Sequence, residues 1–292
     1  MKESLFQVND AASLQAACQK WRDAGERIAF VPTMGNLHEG HLQLVDLAKE
    51  KADRCVVSIF VNPTQFGPNE DFDNYPRSQE KDCAALAARG ADLVFLPTVD
   101  SLYGADVRSD IQVPKELTDK LCGANRPGHF DGVATVVAKL FDVVKPNVAI
   151  FGSKDYQQLQ VIRWLVNDLA LPIKIISAPT VREEDGLAMS SRNQYLSMEQ
   201  RQQASRLYQV LEYVAVRLLR GQRDFDALEK EATNVLNKTG WQVDYVQILT
   251  PEMTPPSKNG RDFIIFAAAN LGRSRLIDNL ICTIPAKPKN RM

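Results

Sequence analysis

The chain has only three histidines, and each lies in a glycine-bearing segment. His38 and His41 fall in Pro32-Thr33-Met34-Gly35-Asn36-Leu37-His38-Glu39-Gly40-His41, and His129 in Arg126-Pro127-Gly128-His129-Phe130. Near neutral pH an imidazole donates hydrogen bonds from its ring nitrogens, which suits charge developing on phosphate. A spacing of three puts His38 and His41 on one helical face. An H-x-x-H pair also fits a metal site, but no cysteine or third histidine stands at a ligand spacing here, so phosphate is the favoured partner.

The backbone around this pair supports the same chemistry. Gly35 suits a tight turn, and Gly40 removes a side chain where a ligand can approach. A helix beginning near Leu37 would aim N–H groups beyond the preceding strand, a ready phosphate site. On this reading the backbone of Met34–His41, with Met34, Gly35, Asn36, Leu37 and Glu39 alongside the two histidines, carries a triphosphate. A second segment, Met189-Ser190-Ser191-Arg192-Asn193, follows Val181-Arg182-Glu183-Glu184-Asp185-Gly186. It offers two hydroxyls and a guanidinium, which forks onto phosphate oxygens. Alone it reads equally as a solvated loop with a helix cap. Its pairing with the histidine turn makes it a phosphate clamp.

The elements that position these groups alternate. Apolar runs at Ile28–Val31, Cys55–Val61, Asp92–Leu96, Val148–Phe151 and Ile173–Ser177 read as strands. Leu37–Ala52, Ser78–Arg89, Phe130–Val144 and Asp155–Leu169 read as helices between them. Strands apolar on both faces and separated by helices imply a parallel sheet covered on both sides. Ligands of such sheets bind beyond the strands' carboxyl ends, where the polar, glycine-bearing segments fall. After about residue 178 the order changes to helices at Met198–Leu219 and Phe225–Leu236, then strands at Val243–Leu249, Phe263–Ala268 and Arg275–Ile284. The expected fold is α/β, a Rossmann-like parallel sheet over residues 1–178, with a smaller α+β domain over 179–292 that carries the Met189–Arg192 loop as a lid. The basic tail Pro285–Met292 reads as disordered.

Composition bounds the alternatives. The chain has 292 residues, a formal net charge of −1, 45% hydrophobic residues and five cysteines. No basic field steers nucleic acid or an anionic membrane. The odd cysteine count without a C-x-x-C points to a reducing cytoplasm. No apolar run approaches the roughly 20 residues of a membrane span.

Together the two phosphate segments resemble the HIGH and KMSKS signatures of the nucleotidylyltransferase superfamily. Five stretches narrow this: VPTMGNLHEGHLQL (31–44), SIFVNPTQF (58–66), RPGHFDGV (126–133), FGSKDYQQ (151–158) and AMSSRNQYL (188–196). In this order they resemble the pantoate–β-alanine ligase family from about residue 24 to about 281, ending in Arg275-Leu276-Ile277-Asp278-Asn279. The chain departs from the family at Ser153 and at Cys122, where glutamate is usual or common, while the expected ligand contacts are intact.

The resemblance implies a two-step reaction. Pantoate attacks the α-phosphate of ATP to give a pantoyl adenylate and pyrophosphate, and β-alanine then displaces AMP. No protein nucleophile is needed, and positioning with charge stabilisation carries such chemistry. His38 and His41 are the expected phosphate donors, and the family puts His41 forward as proton donor. Lys154 suits the α-phosphate. Ser190, Ser191 and Arg192, with Met189, suit the leaving pyrophosphate. The resemblance assigns adenosine to Gly152, Asp155 and Val181, with Ser153 counted among the nucleotide-binding residues, and pantoate to Gln65 and Gln158. Asn62 is expected to shape the pantoate pocket, with Arg126 and His129 nearby. Mg²⁺ would bridge phosphate oxygens and keep most of its waters, with Asp82 as a candidate contact. Asp71, Asp73 and Asp131 read as solvated loop charges. The family also implies a homodimer. A different adenylyltransferase of the superfamily and a non-catalytic nucleotide-binding regulator are the competing readings. The chain's length and its two glutamine segments disfavour the first, and the intact histidine, lysine and arginine positions disfavour the second.

Overall fold

The computed structural model describes residues 5–68, 70–104 and 106–286. Of the tail expected to be disordered, residues 287–292 lie outside that set. Contacts divide the chain into two units, one of Met1–Val181 with Met189–Ser191 and one of Arg182–Ala188 with Arg192–Met292. The main break thus falls after Val181, three residues beyond the expected 178. Met189–Ser191 groups with the first unit because the Met189 N–H donates to the Val181 carbonyl at 2.9 Å and Ser191 Oγ donates to the Asn36 carbonyl at 3.1 Å.

In the first unit the strands are β1 (Phe6–Val8), β2 (Ile28–Thr33), β3 (Arg54–Ile59), β4 (Leu93–Phe95), β5 (Val148–Gly152) and β6 (Lys174–Ala178). They form one parallel sheet in the order β1-β4-β3-β2-β5-β6. The helices are α1 (Ala11–Asp23), α2 (Glu39–Lys51), α3 (Gln79–Arg89), α4 (Val99–Tyr103), α5 (Lys115–Thr118), α6 (Leu121–Asn125), α7 (His129–Val144) and α8 (Tyr156–Asp168).

Alternate residues of each strand face opposite sides, so both faces must be covered. Ala29 and Val31 of β2 share a buried cluster with Leu44, Val45 and Ala48 of α2 and Leu86 of α3. On the other face Phe30 meets Phe141 of α7 edge-on, with ring centroids 6.2 Å apart. The chain winds outward from β2 through β3 to β4, and in the other direction through β5 to β6. Between β2 and β5 the winding reverses, the point beyond whose strand ends such sheets bind their ligands. Sequence patterning did not reveal β1 or α1.

In the second unit α9 (Met198–Ala204), α10 (Arg206–Leu219) and α11 (Phe225–Lys238) precede an antiparallel meander of β7 (Gln242–Leu249), β8 (Asp262–Leu271) and β9 (Ser274–Thr283). The single helix expected over Met198–Leu219 is broken at Ser205, which closes α9 and opens α10. The Ser205 side chain makes no hydrogen bond that caps α10. Leu207, Leu211 and Leu218 of α10 and Leu228 and Leu236 of α11 bury against Phe263, Ile265, Ala267 and Ala269 on one face of β8. Among the described residues no helix is long and apolar enough to cross a membrane.

Candidate active site

The turn after β2 is built as a closed hydrogen-bonded unit. Gly35 (φ +80°) and Asn36 (φ +51°) both take left-handed backbone. A side chain on Gly35 would put its Cβ 2.9 Å from Ile59 Cγ2 and 3.1 Å from Asp82 Oδ2, so only glycine fits. Asp82, 1% exposed on α3, accepts from the Asn36 and Leu37 N–H groups, each at 2.8 Å, and from Ser78 Oγ at 3.1 Å. Both carboxylate oxygens thus brace the turn.

His38 caps α2. Its Nδ1 accepts from the Gly40 N–H at 3.1 Å, and His41 Nδ1 accepts from the His38 N–H at 3.3 Å, a reciprocal capping box made from imidazoles. The rings lie with centroids 4.1 Å apart. A Cβ on Gly40 would sit 2.9 Å from His38 Cε1, so glycine there makes room for the His38 ring rather than for a ligand, which corrects the reading of that position. A second correction follows. The N–H groups of Asn36, Leu37, His38 and Gly40 are all spent inside the turn, so the backbone of Met34–His41 is not an open cradle for a triphosphate. The side chains must supply the donors.

The same bonds fix which nitrogen donates. A neutral imidazole whose Nδ1 accepts carries its proton on Nε2, so both histidines present Nε2–H. Burial, reinforced by the nearby Lys154 charge, pulls His38 down to about 4. Burial, His38 and Lys154 together pull His41 to about 3. Both are therefore neutral donors at pH 7, and Lys154 is the positive charge beside them. Lys154 and Asp155 stand in the 3-10 turn Ser153–Asp155 that follows β5, with Lys154 Nζ 3.7 Å from Asp155 Oδ2. β5 ends at Gly152, where an added Cβ would meet no atom within 4 Å, so its Cα face is open. Val181 approaches the turn: its Cβ is 3.7 Å from where a Gly40 Cβ would lie. Ser191 reaches Asn36 from the same unit, and Ser190 precedes it. The Glu39 carboxylate is taken by Arg89 and faces away from phosphate chemistry. Arg192 lies in the second unit, in the 3-10 turn Ser191–Tyr195.

A second cluster forms after β3. Asn62, 1% exposed, donates from Nδ2 to Gln65 Oε1 at 3.2 Å and to the Gly132 carbonyl at 3.1 Å, while its Oδ1 accepts from Tyr103 Oη at 2.7 Å. Asn62 is therefore engaged by Gln65, Gly132 and Tyr103 together. Gln65, 9% exposed, directs Nε2 to Met34 Sδ at 3.0 Å. Sulfur is a weak acceptor, so a carboxylate or hydroxyl oxygen would replace it at a gain. Gln158 is half-buried in the first turn of α8. Its neighbour Gln157 serves structure instead, accepting from the Cys122 N–H and donating to the Leu117 and Lys120 carbonyls.

Arg126 and His129 turn out to hold the protein rather than point into space. His129 Nδ1 lies 2.7 Å from the Gln65 carbonyl and its Nε2 lies 2.9 Å from Arg126 Nη1. Arginine can only donate, so Nε2 accepts and Nδ1 carries the proton, the opposite tautomer to the other two histidines. Burial, with Arg126, holds His129 down to about 4. Asp131 accepts from the Val113 N–H at 2.9 Å, so it is a structural acceptor and not a solvated charge. Sequence reasoning passed over Glu70, Gly132, Gln157 and Tyr103. Gly132 lay inside a quoted segment and so had a signal; Glu70 had none.

The three depressed histidines carry a pH prediction. Each folded-state value lies below the unfolded value of 6.5, so between pH 6.5 and about 4 the unfolded chain binds protons that the native chain refuses. Stability therefore falls as pH drops through that window, by at most about 1.4 kcal/mol per pH unit for each histidine, and these groups add no pH dependence above it. Urea midpoints at pH 7.5, 6.0 and 5.0 should decrease in that order. A constant midpoint would show that the histidines are not held neutral.

Comparison with known proteins agrees with this geometry. The profile of the Pantoate-beta-alanine ligase family matches residues 7–281. The chain belongs to that family. It is 52% identical to the pantothenate synthetase of Pseudomonas putida over 96% of this chain and 98% of the relative. It is 53% identical to that of Acinetobacter baumannii over 92% and 94%. The crystal structure of pantothenate synthetase from Thermus thermophilus superposes with a TM-score of 0.89 at 44% identity, covering 94% of this chain and 99% of that one. A Francisella tularensis pantoate-beta-alanine ligase, solved with beta-gamma ATP and beta-alanine, gives 0.82 at 36% identity and covers 95% and 98%. Gln65, Met34 and the two histidines all follow the carboxyl ends of β2 and β3.

Proposed function

We propose that the chain condenses pantoate with β-alanine to pantothenate, using ATP and releasing AMP and pyrophosphate. The observation that carries this reading is the pairing of two neutral Nε2–H imidazoles and a lysine at the strand switch point with a buried glutamine whose amide rests on a thioether. The first group suits phosphate charge and the second suits a hydroxy acid.

In the first step a pantoate carboxylate oxygen bonds to the α-phosphorus as its bond to the bridging oxygen breaks, and pyrophosphate departs. His41 and His38 donate to phosphate oxygens as charge builds, and Lys154 adds a fixed positive charge. Ser190, Ser191 and Arg192 are read as donors to the leaving pyrophosphate. Gly152, Asp155 and Val181 are read as the adenosine wall, and Gln65 with Gln158 as the pantoate amides. In the second step the β-alanine amine attacks the activated carbonyl, AMP leaves with the electron pair of the acyl C–O bond, and the ammonium proton is lost to solvent. Among the described residues no group of three or more His, Cys, Asp or Glu could hold a metal. Mg²⁺ is accordingly read as part of the nucleotide substrate, held by phosphate oxygens and water. The family likeness also carries the reading of a homodimer, and the five cysteines without a C-x-x-C carry that of a cytoplasmic setting.

The test is exchange of labelled pyrophosphate into ATP with Mg²⁺ present and β-alanine absent. Pantoate-dependent exchange is expected, since it reports reversible acyl adenylate formation. Exchange without pantoate, or none with it, would transfer the reading to another acceptor acid or phosphate.

A further inference from the structure

Gln65 closes a three-residue 3-10 turn, Pro63–Gln65, an element too short to hold its own geometry against a charged ligand. Its carbonyl accepts from His129 Nδ1 at 2.7 Å and from Arg126 Nη2 at 3.3 Å. Arg126 in turn is gripped by Glu70, with Nε on Oε1 at 2.7 Å and Nη2 on Oε2. The pair is mostly shielded, with side-chain exposures of 17% for Arg126 and 26% for Glu70. Burial alone would raise the Glu70 carboxyl, yet the Arg126 hydrogen bond and charge outweigh it and hold it below the usual range. Glu70 thus sets the plane of the guanidinium, the guanidinium sets the His129 ring, and both converge on one carbonyl.

We propose that Glu70 is a positioning residue for pantoate recognition, acting through Arg126 and His129 to fix the backbone of Gln65 so that its amide faces the hydroxy acid. The inference rests on the reading of Gln65 given above. Without Glu70 the guanidinium loses its fork and becomes free to capture a carboxylate in the wrong place. The turn carrying Gln65 also loses its brace, while the histidine turn after β2, braced separately by Asp82, keeps its shape.

The experiment is pantoate-dependent pyrophosphate exchange by the full chain, titrating pantoate and ATP separately. Glu70→Gln keeps the shape and removes the charge, Glu70→Asp keeps the charge and shortens the reach, and Arg126→Lys keeps the charge and loses the fork. Loss of one charge-assisted bond predicts a pantoate KM raised about tenfold or more in Glu70→Gln and Arg126→Lys, with the ATP KM within about twofold. Glu70→Asp should recover part of the loss. An unchanged pantoate KM in Glu70→Gln would overturn the proposal. So would a parallel rise in both constants, the pattern of general loosening. A wild-type chain without pantoate-dependent exchange would overturn the underlying reading first, before any variant is compared.

Discussion

His41→Ala should lower the rate of pantoate-dependent pyrophosphate exchange by roughly 10²- to 10³-fold, the usual consequence of removing one preorganised donor to a charged transition state. The substitution removes the Nε2–H that faces the reaction and also the Nδ1 acceptor of the His38 N–H at 3.3 Å. These two losses can be separated. His41→Asn retains a side-chain oxygen near the cap and a shortened amide donor, so it should restore helix capping more fully than rate. Because His41 is held neutral, at about 3, the variant's rate deficit should be the same at pH 6.5 and pH 8.5. A deficit that disappears at high pH would mean that wild-type His41 acts as a cation. An unchanged rate in His41→Ala would remove it from the mechanism.

How much of this site was legible beforehand follows from the range of the forces involved. Strand ends were readable to within two residues from a purely local signal: the apolar runs that stop before Pro32, Asn62 and Gly152 end at Val31, Val61 and Phe151, against Thr33, Ile59 and Gly152 in the fold. The histidine pair was readable for the same reason. What local patterning missed was the source of each group's restraint. Asp82 braces a turn 45 residues earlier in the chain. Neither side chain advertises the other. The expectation of a backbone phosphate cradle failed because donor counting needs acceptors, and those come from His38, His41 and Asp82 only once the chain is folded. Arg126 and His129 are another case: both were expected near the pantoate pocket, but that they meet at the Gln65 carbonyl, more than sixty residues away in the chain, is set only by folding. The smaller unit shows the same limit. Its helix-then-strand order was plain, whereas the break at Ser205 falls inside an otherwise continuous amphipathic run and carries no side-chain cap to announce it.

Gly132→Ala should damage pantoate recognition far more than its single added methyl would suggest. Gly132 lies in the first turns of α7, and a Cβ built on it would fall 2.3 Å from the Thr64 carbonyl oxygen and 2.8 Å from the Gln65 nitrogen. Both obstacles are backbone, so no rotamer change relieves the overlap. Alanine is intrinsically the better helix former by roughly 1 kcal/mol, so a purely local view predicts stabilisation. The overlap opposes it. α7 must part from the Pro63–Gln65 turn, and overpacking of this kind costs about 1–3 kcal/mol. The separation also stretches the 3.1 Å bond from Asn62 Nδ2 to the Gly132 carbonyl, and with it the 3.2 Å bond from the same nitrogen to Gln65 Oε1. The expected result is a modestly lower urea midpoint together with a pantoate KM raised well over tenfold, on the order of 2 kcal/mol of lost binding, and a much smaller change for ATP. The asymmetry is the point of the test, because the histidine turn is braced through Asp82 and does not touch Gly132. If Gly132→Ala stabilised the chain and left the pantoate KM alone, α7 and the Gln65 turn could not be in the close contact from which the pocket is built.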